Sequence, residues 1–253
     1  MRPAAAPMTP AIVTIGNFDG VHLGHRKLIG QVVERARALD LRSFAVTFEP
    51  HPERVLFPEG KLTSLSTAEE RRQLLCDSGI DDVWVCPFTT ELARLEPEEF
   101  MRLVTERQPI AELWVGADFA LGRGRKGTLG VLADIGAHLG WALHMVPPYT
   151  LEGQVVSSTA IRTLLGAGAV RGVADLLGRN YSVSGEIEGN ELRVDPDRAL
   201  PRPGILYGAE LRQNSASHDV QATVLPTPGR ISLESEATYQ PGPAELAFLR
   251  RES

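Results

Sequence analysis

The segment AIVTIGNFDGVHLGH, residues 11–25, joins two different hydrophobic patterns. Ala11–Phe18 is an apolar run of strand length. From His25 to Leu39, the residues Leu28, Ile29, Val32, Val33, Ala36 and Leu39 recur at helical spacing. A strand that turns through glycines into a helix brings N–H groups and a partial positive charge to the junction, and glycine lets a ligand approach the backbone closely. His22 and His25, separated by Leu23-Gly24, can face the same phosphates. They would act as hydrogen-bond donors and, when protonated, would also offset charge. Such a junction is equipped to stabilise a pentavalent phosphoryl transition state by positioning and electrostatics.

Working outward, the pattern repeats. Ser43–Phe48, Asp82–Phe88, Leu113–Phe119 and Ala142–Val146 read as buried strands. Thr67–Ser78, Pro97–Glu106 and Thr128–Leu139 read as helices. Alternation of this kind predicts a parallel sheet covered on both faces, with ligands at the carboxyl ends of its strands. Near residue 180 the rhythm changes. All three tryptophans (Trp84, Trp114, Trp141) lie before that point. After it come short strand candidates, Tyr181–Ile187, Leu206–Leu211, Val220–Leu225, Ile231–Glu236 and Glu245–Leu249, separated by Gly, Pro, Asn and Ser. This predicts a second domain, a small antiparallel barrel or sandwich, with the boundary at Gly178–Asn180.

Composition narrows the class. The chain of 253 residues carries a net charge of −6, which argues against nonspecific nucleic-acid binding. Its apolar runs are too short to span a bilayer, and Pro3, Pro7 and Pro10 interrupt any signal-like stretch, so a cytoplasmic protein is expected. Cys76 and Cys86 have no metal or redox spacing and read as two reduced thiols. No carboxylate or Cys/His set has the spacing of a dedicated metal site; a magnesium ion held by ATP phosphates would leave no such trace.

Three further segments sit where strands end or helices begin. Thr47-Phe48-Glu49-Pro50-His51-Pro52 follows the second strand, and its two prolines make a rigid turn suited to lining a pocket for a flat ring. Taken alone it is also an ordinary strand-ending turn. Gly116–Gly122 leaves the fourth strand; Gly116 permits close approach, and Asp118 can accept from a ribose or adenine. Ser157-Ser158-Thr159 precedes the apolar Ile161–Leu165 as a hydroxyl-bearing helix start, and Arg162 adds a fixed charge with bidentate geometry.

In order, TIGNFDGVHLGHRKL, TFEPHP, VGADFALG with Arg123, Arg125 and Gly127, and SSTAIR resemble the signatures of the bacterial bifunctional riboflavin kinase/FAD synthetases, members of the HxGH nucleotidyltransferase superfamily. The resemblance is dense over residues 11–180. It implies a Rossmann-like nucleotidyltransferase domain at 1–180 and a flavokinase-like β-barrel at 181–253. It further implies adenylyl transfer from Mg-ATP to FMN, giving FAD and pyrophosphate. His22, His25 and Arg162 would be catalytic. The same three, with Gly16, Asn17, Phe18, Asp19, Gly116, Asp118, Arg123, Ser157, Ser158 and Thr159, would hold ATP, and Thr47–Pro52 the FMN. The second domain departs from the family. Where a phosphate- and metal-holding GRxxGxPTAN-like element belongs, Asn190–Ala199 reads NELRVDPDRA, a polar, acidic linker, so a reduced barrel without kinase chemistry is expected. Two other classes stay open: a non-catalytic flavin or nucleotide sensor, and another nucleotidyltransferase or a tRNA-synthetase fragment. No nucleic-acid or membrane partner is expected.

Overall fold

The computed structural model describes residues 8–234 and 239–251. They pack into two units: one holds the described residues up to Lys61 together with Ala68–Tyr149, the other Leu62–Thr67 together with the described residues from Thr150 onward.

The first unit is a five-stranded parallel sheet with helices on both faces. Its elements are β1 (Ala11–Ile15), α1 (Leu23–Ala38), β2 (Arg42–Glu49), α2 (Pro52–Leu56), α3 (Ala68–Asp77), β3 (Asp82–Pro87), α4 (Thr90–Arg94), α5 (Pro97–Arg107), β4 (Ile110–Gly116), α6 (Leu129–Leu139) and β5 (Ala142–Val146). The strand order is β3-β2-β1-β4-β5. β1 is buried along its whole length because both of its faces are covered. Ala11, Val13 and Ile15 join Phe100, Met101 and Val104 of α5 on one face. Ile12 joins Ile29 and Val32 of α1 and Leu75 of α3 on the other. The order places a topological switch between β1 and β4, whose chain continues to opposite sides of the sheet. In such sheets the crevice beyond the carboxyl ends at the switch is the ligand site. The loops that leave β1 and β4 are those that begin at Gly16 and Gly116.

The second unit contains a hairpin, β6 (Thr150–Leu151) and β7 (Gln154–Val155), and two helices, α7 (Ser158–Ala167) and α8 (Val170–Leu177). The strands β8 (Tyr181–Glu188), β9 (Glu191–Arg193), β10 (Leu206–Gln213), β11 (Ala216–Val224), β12 (Arg230–Glu234) and β13 (Gly242–Arg251) follow. These six strands form a closed antiparallel barrel in the order β10-β11-β12-β9-β8-β13, so no strand edge is left open. Ile161 and Leu165 of α7 and Val173 and Leu177 of α8 share one apolar core with Tyr181, Tyr207 and Phe248 of the barrel. In packing, therefore, residues 150–177 go with the barrel, earlier in the chain than the change of sequence rhythm at 180.

Two local readings needed revision. β4 begins at Ile110, three residues before the apolar Leu113–Phe119 stretch, because the strand alternates in burial at its start. Asn190–Ala199 is no linker: β9 pairs with β8 and β12, Val194 N–H donates to Gly229 O (2.9 Å), and Arg198 is buried. From Asn190 to Val194 its backbone polar groups are met by neighbouring strands and the Gly229 turn, which its polar side chains conceal in sequence. Of the expected strand Ile231–Glu236, β12 covers the part to Glu234; Glu236 lies outside the described residues.

Candidate active site

β1 ends at Ile15, and Gly16 N–H makes the last ladder bond on that edge, to Val46 O at 3.0 Å. The chain then turns sharply through Phe18 (φ +49°), Gly20 (φ +77°) and Val21 (φ +39°). For a bulky and a β-branched residue this left-handed backbone is strained, and the burial of both side chains (1% exposed each) is what holds it. A Cβ on Gly16 would lie 3.0 Å from the Phe18 ring, so the glycine makes room for that ring to close the turn.

His22 is the N-cap of α1; its Nδ1 accepts from His25 N–H at 3.2 Å. That bond leaves the ring proton of the neutral imidazole on Nε2. The His22 and His25 rings stack with centroids 3.6 Å apart and planes 16° apart, and the Phe18 ring meets His25 edge-on at 5.3 Å. His25 Nδ1 is buried with no hydrogen-bond partner, an orphan polar atom at the start of a helix. Burial first, and the neighbouring His22 second, hold the His25 pKa well below its ordinary 6.5. The expectation that a protonated His25 offsets charge is therefore revised: the ring is neutral at pH 7, and what it can offer a ligand is an N–H.

This has a pH consequence. The unfolded chain takes a proton on His25 near pH 6.5, whereas the folded ring does not. The unfolded state thus binds more protons below that pH, so this contribution to stability is complete above 6.5 and is lost as pH falls toward the folded pKa. Thermal melts between pH 7.5 and 5 should show the wild type losing more stability than His25→Gln; parallel curves would contradict it.

Beside this turn lies the carboxyl end of β2. Thr47 Oγ1 donates to Asn17 O at 2.9 Å, tying the two loops together. His51 caps the short helix α2: its Nδ1 accepts from Glu53 N–H at 3.2 Å, so its proton sits on Nε2. Asn17 Nδ2 lies 3.1 Å from that Nε2, and a half-turn of the carboxamide lets its oxygen accept instead. The proline-flanked turn and the glycine turn are thus hydrogen-bonded together. One participant is absent from the expectations drawn from sequence. Arg71 of α3 is 1% exposed; its Nη2 donates to Phe48 O and to Glu49 Oε2, both at 2.8 Å. Its signal was present: Arg71 stands one helical turn before the buried Leu75, on the core face of α3.

Across the switch, Gly116 ends β4 and begins a turn closed by Phe119 N–H to Gly116 O at 3.2 Å. Asp118 O accepts from Arg125 Nη2 at 3.0 Å. Arg123 lies in a short 3₁₀ turn, its backbone N–H on Leu95 O and its head 3.7 Å from Glu96. The acidic start of α5 therefore faces basic residues of this loop: Lys126 also reaches Glu96, at 3.3 Å.

In the second unit, Ser157 is the N-cap of α7, with Oγ accepting from Ala160 N–H at 3.2 Å, as its sequence position predicts. Ser158 and Thr159 form the first turn. Arg162 Nε donates to Thr63 O at 2.7 Å, so this edge of the guanidinium holds the Leu62–Thr67 strap. The strap also pairs with the barrel: Ser64 N–H donates to Asp197 O and Ala199 N–H to Ser64 O, both at 2.9 Å.

Among the described residues no helix is long and apolar enough to cross a membrane. A structure from Streptococcus pneumoniae described as a macrolide-efflux protein is similar over 98% of this chain and 86% of its own, with a TM-score of 0.84 at 22% identity, which shows the shared fold. The bifunctional riboflavin kinase/FMN adenylyltransferase of Escherichia coli (strain K12) is 32% identical over 189 residues, or 74% of this chain and 60% of that relative. The FAD synthetase of Listeria monocytogenes is 28% identical over 195 residues, 77% of this chain and 79% of that one. The match thus spans about 60% of the length of the bifunctional Escherichia coli relative. Residues 5–160 match the family model of FAD synthetase. With a strand order that opens its crevice between β1 and β4, and a stacked histidine pair at the first of those strand ends, the chain belongs to the FAD synthetase family.

Proposed function

We propose that the protein is an FMN adenylyltransferase: an FMN phosphate oxygen attacks the α-phosphorus of ATP in line, pyrophosphate leaves, and FAD forms. The observation that carries this reading is the stacked pair of the buried His22 and the half-buried His25 at the N-terminus of α1, beside the topological switch. The incoming phosphate is already a competent nucleophile, so no covalent intermediate is required. The work falls to positioning and electrostatics. In this reading the ring N–H groups of His22 and His25 and the start of α1 donate to the transferring phosphate as its charge redistributes. Gly16, Asn17, Phe18, Asp19, Gly116, Asp118 and Arg123 shape the nucleotide site. Ser157, Ser158, Thr159 and Arg162 take the ATP phosphates, and Thr47–Pro52 takes the flavin. Magnesium enters with ATP, held by the phosphates of the substrate.

We assign adenylyl transfer to residues 1–180 and a supporting role to the barrel at 181–253. The relatives named as bifunctional make riboflavin phosphorylation the second activity to test. Against it stands Asn190–Ala199, where β9 and the buried Arg198 occupy the place of the phosphate-holding element. Arg198 Nε donates to Tyr181 Oη at 3.2 Å and its Nη2 to Ser182 O at 2.8 Å. Chromatography of products tests both readings. FMN with Mg-ATP should give FAD and pyrophosphate; riboflavin with Mg-ATP should give no FMN. Absence of FAD from a folded, ATP-binding preparation would overturn the first, and FMN from a homogeneous sample the second.

A further inference from the structure

We propose that Arg71 is a positioning residue for the flavin site, standing in for the strand that β2 loses at its carboxyl end. This deepens the proposed reaction and rests on it. Successive carbonyls of a strand point to opposite neighbours. On the β3 side, Glu49 O accepts from Phe88 N–H at 2.9 Å. On the β1 side, the last bond is Gly16 N–H to Val46 O, because β1 stops at Ile15 and turns away toward His22. Phe48 O, two residues further along that same edge, therefore has no strand to accept from. Arg71 Nη2 supplies the missing donor at 2.8 Å and holds the Glu49 carboxylate at the same distance.

The geometry is costly to build, which separates it from a surface ion pair. Arg71 is 1% exposed, and its Nε is buried without a partner, whereas the Glu49 side chain is 43% exposed. A guanidinium kept in the core with an unmet donor is a poor choice for stability alone. Its two bonds fix the last two residues before Pro50, and the proline-flanked turn inherits that direction. Both bonds leave the single nitrogen Nη2 at the far end of the side chain; lysine keeps the charge, but its ammonium stops short of that place, so it should not reproduce the pairing.

The test compares wild type, Arg71→Lys, Glu49→Gln and the double variant. FMN affinity is read by quenching of flavin fluorescence, and turnover is split into KM for FMN and KM for ATP. Arg71→Lys should weaken FMN binding and raise the FMN KM by about tenfold, with the ATP KM within about twofold. The double variant should be no worse than Arg71→Lys by more than about twofold, because both changes break one linkage. An unchanged FMN affinity and KM with only a lower melting temperature would overturn the proposal, since a plain core residue predicts that. Should Arg71→Lys fail to fold, Glu49→Gln alone decides: weaker FMN binding supports the linkage and unchanged FMN binding overturns it. Wild type that binds FMN but forms no FAD would overturn the reaction, yet the FMN affinities would still decide the role of Arg71. Wild type that binds no FMN would overturn both.

Discussion

His25→Ala should lower the turnover of FAD formation by about 10²–10³-fold while weakening ATP binding far less. The ring is half-buried with its Nδ1 inaccessible, stacked on His22 and edged by Phe18, so it is oriented before any ligand arrives. Pre-oriented donors in a site shielded from water act most strongly where charge develops during the reaction, and they need no reorganisation at that moment. Burial keeps the ring neutral, so its contribution to ground-state attraction for ATP is modest beside that of fixed charges. Steady-state turnover and an ATP titration of the variant test this. An equal rise in the ATP dissociation constant with unchanged turnover would make His25 a ground-state binding residue.

The second large effect separates two duties of His22. As N-cap it accepts from His25 N–H through Nδ1, and that duty leaves Nε2–H as the donor for a phosphate. His22→Ala removes both and should cost about 0.5–2 kcal/mol of stability through the lost cap. His22→Asn supplies a good capping oxygen without the ring N–H, so its melting temperature should return close to wild type. Turnover should stay down by about 10²-fold or more in both variants. Recovery of turnover in His22→Asn along with stability would reduce His22 to a helix cap, and thermal melts beside initial rates distinguish the two cases.

The interplay of α7, α8 and the barrel bears on how the chain can be cut. Removing Tyr181–Ser253 would strip Ile161, Leu165, Val173 and Leu177 of the core they share with Tyr181 and Phe248. It would also take the partners of Ser64 away from the strap. Point substitutions in the full chain are therefore the sounder probes of the barrel.

Much of the molecule could be read locally. The strand–turn–helix passage at residues 11–39, the later strands and helices of the first unit, and the Ser157 cap all depend on spacing and side-chain chemistry within a few residues. Periodic burial and capping are short-range, so they leave a direct trace in sequence. The His22–His25 pair belongs to this class: three residues apart at a helix start, the two rings are neighbours in any fold that forms that helix. What only the tertiary structure decided are the pairings between distant segments. Strand order put the Gly16 and Gly116 turns on either side of one switch. Closure of the barrel turned Asn190–Ala199 from an apparent linker into β9 and a buried Arg198, because backbone hydrogen bonds to β8 and β12 do not depend on apolar side chains. Arg71 found its role only in the tertiary structure, where the early end of β1 leaves a carbonyl on β2 for it to meet. The neutrality of His25 was likewise decided by packing. A histidine's spacing carries no information about its desolvation, and burial against Phe18 and His22 sets its charge.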